Sequence, residues 1–150
     1  MADIAETYRE QRSLPDLDAT TRLGAAIARV LHTGDCVALW GDLGAGKTTL
    51  ARSILQALGV TEDVPSPTFT IVQRYDTPNL VVNHYDLYRL KNAREMAELG
   101  LDEALEDGAV LVEWPERAPE ALPTDALHVR LSLVDGARLA KLTGPVRFHV

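Results

Sequence analysis

Apolar positions repeat with a helical period early in the chain and with a strand period in several later stretches. Between Asp16 and His32, the residues Leu23, Ala26, Ile27, Val30 and Leu31 are spaced so that they line one helix face. Asp16 or Asp18 can cap that helix, and Gly34 is its expected stop. Residues 1–13 carry no such period and read as a loosely held arm. Val37 to Trp40 is a short apolar run of the buried-strand type, and a helical segment from Thr48 to Leu58 follows, closed by Gly59.

The second half alternates faster. Val64-Pro65-Ser66-Pro67 is a stiff, extended connection. Thr68 to Tyr75 is rich in β-branched and aromatic residues, Asp76 to Asn79 is a turn, and Leu80 to Asp86 returns, which predicts an antiparallel hairpin. Two short helices, Ala93 to Leu99 and Leu101 to Glu106, are punctuated by Gly100 and Gly108. Ala109 to Val112 is uninterrupted and apolar, as in a strand buried on both faces, and it ends in Glu113-Trp114-Pro115. Residues 116–125 form a connector. Leu127, Val129, Leu131 and Leu133 then alternate with polar positions up to the hairpin turn Asp135-Gly136. Leu139 and Leu142 lie in the returning segment, and Val146 to Val150 is expected to add a last strand.

The junction between the first apolar run and its helix carries the chemistry. Gly41 to Thr48 reads G-x-x-x-x-G-K-T, with a strand before it and a helix after it, the context of a phosphate-binding loop. Backbone N–H groups must converge on phosphate oxygens there, so Gly41, Gly44 and Gly46 stand where a side chain would hold the phosphates off. The nucleotide-binding stretch is expected to comprise Asp42, Leu43, Gly44, Ala45, Gly46, Lys47, Thr48 and Thr49. Lys47 can reach the outer phosphates as a point charge and stabilise the charge that develops in hydrolysis, and the Thr48 hydroxyl is placed to ligate Mg²⁺. ATP and Mg²⁺ are the expected cofactors. The fold class that follows is α/β: a P-loop NTPase-like mixed sheet with flanking helices and antiparallel hairpins, in one domain spanning residues 1–150.

Hydrolysis needs a second acidic group at the end of a neighbouring strand. Glu113 and Asp86 both qualify, and Glu113 is preferred for Mg²⁺ because its strand is the better candidate to pair beside the P-loop strand. Asp86 is left to orient water or to sit behind the metal's ligands. Ser66 and Thr68, in a proline-stiffened loop, suit a switch segment that senses the outer phosphate. His84 is either a general base or a satisfied core residue, the second being commoner. Trp114 either stacks on a partner or packs in the core. Arg89 and Arg117 read as solvated charges.

Charge and composition narrow the setting. The formal net charge of −7 argues against a protein that grips nucleic acid by itself. The single cysteine, Cys36, fits a core position in a reduced, cytoplasmic compartment. Met1 to Arg12 is too polar for a signal peptide, and no run is long and apolar enough for a membrane helix.

Five ordered blocks give a family resemblance: Gly41–Thr49 (GDLGAGKTT), Ser66–Thr70 (SPTFT), His84–Arg89 (HYDLYR), Glu98–Gly100 (ELG) and Val112–Glu116 (VEWPE). Together they resemble the bacterial TsaE family, the small ATPase of tRNA threonylcarbamoyladenosine (t6A) biosynthesis, over roughly residues 14–117. The resemblance implies a slow, Mg²⁺-dependent ATPase that acts on a complex of two related proteins, TsaB and TsaD. TsaD transfers the threonylcarbamoyl group to tRNA, and ATP turnover resets the complex, so tRNA is met only indirectly. The resemblance also implies Thr48 and Glu113 as Mg²⁺ ligands, Asp86 as a hydrolysis residue and a switch role for Ser66–Thr70. It places Leu17-Asp18 near the adenine and makes Arg138 the nearest candidate for a late nucleotide-binding arginine. Two rival readings fit the P-loop alone: a small-molecule kinase, although no arginine-rich lid is evident, and a non-hydrolytic module that ATP merely orders.

Overall fold

The computed structural model describes residues 7–42, 44–61, 71–92 and 94–150. Seven strands form one sheet in the order β1-β7-β6-β2-β5-β4-β3. They are β1 (Thr7–Leu14), β2 (Cys36–Trp40), β3 (Val72–Asp76), β4 (Val81–Asp86), β5 (Ala109–Glu113), β6 (Leu127–Val134) and β7 (Ala137–Pro145). The four central strands, β6, β2, β5 and β4, are mutually parallel. Antiparallel partners close both sides: β3 beside β4, and β7 then β1 beside β6. The helices are α1 (Leu17–Val30), α2 (Lys47–Ala57), α3 (Glu95–Glu98) and α4 (Leu101–Asp107). This is the mixed sheet with flanking helices and antiparallel hairpins that the hydrophobic pattern predicts.

Alternation along the strands divides the core in two. Val37 and Leu39 of β2, Val82 of β4, and Ala109 and Leu111 of β5 face Leu23 and Ile27 of α1 and Leu50 and Ile54 of α2. Cys36, Tyr85, Val110 and Val112, at alternate strand positions, face the other way, against Met96, Leu101, Ala104 and Ala118. Every residue of β5 is buried, as its unbroken apolar run requires. Helix α1 starts at Asp16, whose carboxylate accepts the Ala19 N–H at 2.9 Å. Helix α2 ends in a Schellman arrangement, in which Gly59 N–H donates to Gln56 O and Val60 N–H to Leu55 O. No helix among the described residues is long and apolar enough to cross a membrane.

Three expectations are corrected. Thr7–Leu14 is not part of a loose arm but a full edge strand, in register with β7 from Thr7↔Pro145 to Leu14↔Arg138. Its period was masked because polar groups occupy inward positions: Tyr8 donates to Glu10 at 2.5 Å, and Arg12 pairs with Glu10 and with the Val150 carbonyl. These bonds hold the Glu10 carboxyl below its ordinary pKa, while burial and the Glu10 bond push the Tyr8 hydroxyl up to about 12. The expected last strand, Val146 to Val150, begins instead as a 3-10 turn, Val146–Phe148, with Phe148 driven into the core. Helix α1 stops at Val30, because Leu31 is already extended; Gly34 makes the turn that follows.

Gly108 marks the tightest approach between the elements that carry β4 and β5, since a Cβ there would lie 2.0 Å from the Val81 carbonyl oxygen. Gly108→Ala should therefore cost about 1–3 kcal/mol, read as a lowered midpoint in denaturant unfolding. Cys36 is 1% exposed, and burial, aided by Asp125 and Asp35, pushes its thiol pKa up to about 12. A thiol reagent at about pH 8 should leave the native protein unlabelled and react once guanidinium unfolds it.

Candidate nucleotide and metal site

The carboxyl ends of β2, β5 and β4 meet at one edge of the parallel sheet, where open α/β folds bind ligands. Beyond β2 the chain turns at Gly41, with φ +150°, where a Cβ would strike the Leu131 carbonyl oxygen at 2.7 Å. It enters α2 through Gly46, with φ +107°. No side chain caps α2 and no acid lies in its first turn, so its leading N–H groups and partial positive charge face the loop's concavity.

Lys47 is the first residue of α2 and is 5% exposed. Its ammonium donates to Gly41 O and, at 3.1 Å, to Asp42 O. It also lies 3.8 Å from the centroid of the Trp114 ring. Burial lowers its pKa, and four carboxylates act against that, Glu113 first, then Glu116, Asp86 and Asp42. The ring is aimed by unusual backbone: Trp114 has φ 58° and ψ 48°, left-handed for a bulky residue. The ring also packs against the second core cluster and against Tyr88, with ring centroids 4.8 Å apart, and Arg117 lies over Tyr88. Trp114, for which the sequence leaves open stacking on a partner or packing in the core, offers its ring here as a face for Lys47.

Glu113 ends β5 beside β2, as the pairing argument expected, with Leu39 as its register partner. It is 2% exposed, yet both oxygens are engaged. Thr48 Oγ1 donates to Oε1 at 2.8 Å, and His84 Nε2 lies 2.6 Å from Oε2. Asp86 is the register partner of Glu113 across the β4–β5 pairing, is half-buried, and accepts the Tyr88 N–H at 3.0 Å. The two carboxylates proposed from sequence therefore stand side by side, next to Lys47 and Thr48.

The oxygens of Thr48 and Glu113 suit a hard cation. Their 2.8 Å separation matches the edge of an octahedron with metal–oxygen bonds of about 2.0–2.1 Å. No cluster of three or more His, Cys, Asp or Glu side chains able to hold a metal exists among the described residues. A cation here would draw its other ligands from water and phosphate, as Mg²⁺ does in phosphoryl-transfer sites.

On the far side of the loop, a cleft of about 120 Å³ is lined by Leu14, Leu17, Thr20, Ala45, Gly46, Thr49, Leu131 and Arg138. It brings Leu17 and Arg138 to the P-loop from opposite ends of the sequence. Arg138 Nη2 reaches Gly44 O at 3.5 Å, and a Cβ on Gly46 would lie 3.3 Å from Arg138 Nε. Asp18 instead faces Arg22 at 3.7 Å, on the exposed side of α1. Arg89 is exposed. Leu43, Ser66 and Thr68 lie outside the described residues.

Sequence reasoning missed the His84–Glu113 contact, the Lys47–Trp114 contact and the cleft residues Leu14, Thr20 and Leu131. The first had a signal: in His84-Tyr85-Asp86, period two puts His84 and Asp86 on one face of β4, one step apart in depth. The others depend on where β1 and the 3-10 turn after β5 fold back, which no local pattern carries.

Residues 14–139 match a family model described as threonylcarbamoyl adenosine biosynthesis protein TsaE. The tRNA threonylcarbamoyladenosine biosynthesis protein TsaE of Rickettsia bellii is 41% identical over 140 residues, covering 92% of this chain and 97% of the Rickettsia protein. The Haemophilus influenzae protein of the same name is 36% identical over 135 residues, 86% of this chain and 85% of that one. The crystal structure of Bacillus subtilis YdiB superposes with a TM-score of 0.79 at 31% identity, covering 93% of this chain and 87% of YdiB. A P-loop NTPase-like sheet, a strand-end pair of carboxylates beside the loop, and similarity running nearly end to end agree: the chain belongs to the TsaE family.

Proposed function

We propose that this chain binds ATP with Mg²⁺ at the P-loop and hydrolyses it slowly, and that this turnover acts on a TsaB–TsaD complex during t6A formation in tRNA. The observation that carries the hydrolytic reading is the register pair Asp86↔Glu113, with Thr48 held 2.8 Å from Glu113. A module that only bound nucleotide would need the loop and the helix terminus; it would not need two carboxylates converging beside them. Family membership supplies the pathway. The net charge of −7 favours tRNA held by partners rather than by this chain, and the lone buried cysteine favours the cytoplasm.

The roles follow from position. Loop N–H groups and the start of α2 hold the phosphates. Lys47 exchanges the Gly41 and Asp42 carbonyls for phosphate oxygens and stays in place to meet charge developing on the outer phosphate. Asp86 orients the attacking water. Thr48 and Glu113 would hold the metal, which would supply positive charge to offset the negative charge of the phosphates. Leu17 and Arg138 receive the nucleoside side of the ligand in the cleft beside the loop.

The decisive assay measures ATP turnover by the purified protein alone and with TsaB and TsaD, alongside multiple-turnover tRNA modification. Turnover should rise with the partners, modification should require the protein, and the phosphate should appear free rather than on a metabolite. Lys47→Ala should abolish both activities. Asp86→Asn should lower kcat by about a hundredfold while ATP affinity changes less than about twofold. Turnover indifferent to the partners, with modification cycling in the protein's absence, would overturn the reading. Arg138→Ala should weaken nucleotide binding by about tenfold (about 1.4 kcal/mol) in a fluorescence titration and leave the unfolding midpoint unchanged.

A further inference from the structure

We propose that His84 is a positioning residue for the metal: its buried imidazole fixes the Glu113 carboxylate so that Oε1 stays on Thr48 and the cation. The proposal rests on the reading of Thr48 and Glu113 as metal ligands. His84 is fully buried on β4, on the face that carries Val82, and reaches the carboxylate diagonally across the β4–β5 pairing, where its own register partner is Leu111. A carboxylate oxygen only accepts, so Nε2 carries the hydrogen in the 2.6 Å contact with Oε2. Nδ1 is also buried and has no hydrogen-bond partner among the described residues. An imidazole kept in this apolar setting with one nitrogen unpaired is costly packing. The bond to Glu113 is what it provides.

The need for that bond lies in the carboxylate. The terminal torsion of a glutamate is broad, so packing alone does not choose which way the oxygens face. Lys47 is close, and Glu113 is the foremost carboxylate acting on it. Freed from His84, the carboxylate would have one buried oxygen unpaired and a cation within reach. It would turn toward Lys47 and so withdraw a ligand from the metal, while Lys47 keeps its place beside the loop carbonyls and the Trp114 ring. Imidazole on Oε2 and hydroxyl on Oε1 pin both ends.

The test separates the two nitrogens. His84→Gln carries an amide N–H about where Nε2 sits, whereas the shorter His84→Asn reaches only about as far as Nδ1. For each full-length variant, Mn²⁺ affinity in the presence of ADP is measured by electron paramagnetic resonance, ADP affinity in EDTA by titration calorimetry, and thermal unfolding without ligand. The expected result is Mn²⁺ binding about tenfold weaker in His84→Asn and within about threefold of wild type in His84→Gln. ADP affinity in EDTA should stay within about twofold of wild type in both. Equal Mn²⁺ affinity in wild type and His84→Asn overturns the proposal, and so does an equal loss in both variants while both remain folded. Should His84→Asn not fold, a tenfold loss in folded His84→Gln overturns it, and retention together with loss in the volume-matched His84→Met supports it. Wild-type protein that binds ADP in EDTA but takes up no Mn²⁺ would instead fail the underlying metal assignment.

Discussion

Three elements that are far apart in sequence are tied through one buried carboxylate. Glu113 takes a hydroxyl from the first turn of α2 and an imidazole from the middle of β4, while its backbone lies in β5. An unpaired carboxylate at this depth would be strongly destabilising, and each of its oxygens is held by a partner. The parallel order β2-β5-β4 permits the arrangement, because it stacks the carboxyl ends of three strands at one edge. The pairing register sets the rest, with Leu39 and Asp86 on either side of Glu113.

Around that anchor, the phosphate loop is folded on its own lysine. Lys47 is buried, depressed in pKa by burial, and satisfied by loop carbonyls and an indole face. Phosphate would replace the two carbonyls with charged acceptors, a stronger class of partner. It would also relieve the desolvated cation without moving the helix that carries it. For the proposed nucleotide, the loop's tightness would serve as preorganisation, since Lys47 and the start of α2 already point into a shared concavity.

Much of this was legible from sequence where chemistry is local. The P-loop fixes its own neighbourhood through glycine and lysine spacing, and β5 reveals itself by having no polar position until Glu113. Asp86 and Glu113 were identifiable because strand ends are readable. What stayed hidden depends on pairing across the chain. Thr7–Leu14 looked shapeless because Glu10 and Arg12 fill inward positions and satisfy each other there. Phe148 gave no sign that it would turn inward through a 3-10 turn instead of extending an edge. His84 looked like an ordinary core histidine because its partner lies on another strand, 29 positions later.

Trp114 sets backbone strain against side-chain contact. Its left-handed backbone is one in which glycine pays no steric penalty and a large aromatic costs about 1–2 kcal/mol. Glycine here would relieve that strain, but it would also remove a ring packed against the second core cluster and Tyr88 and leave Lys47 without an aromatic face. The strain of the backbone is offset by what the ring touches: the second core cluster, Tyr88 and the Lys47 ammonium.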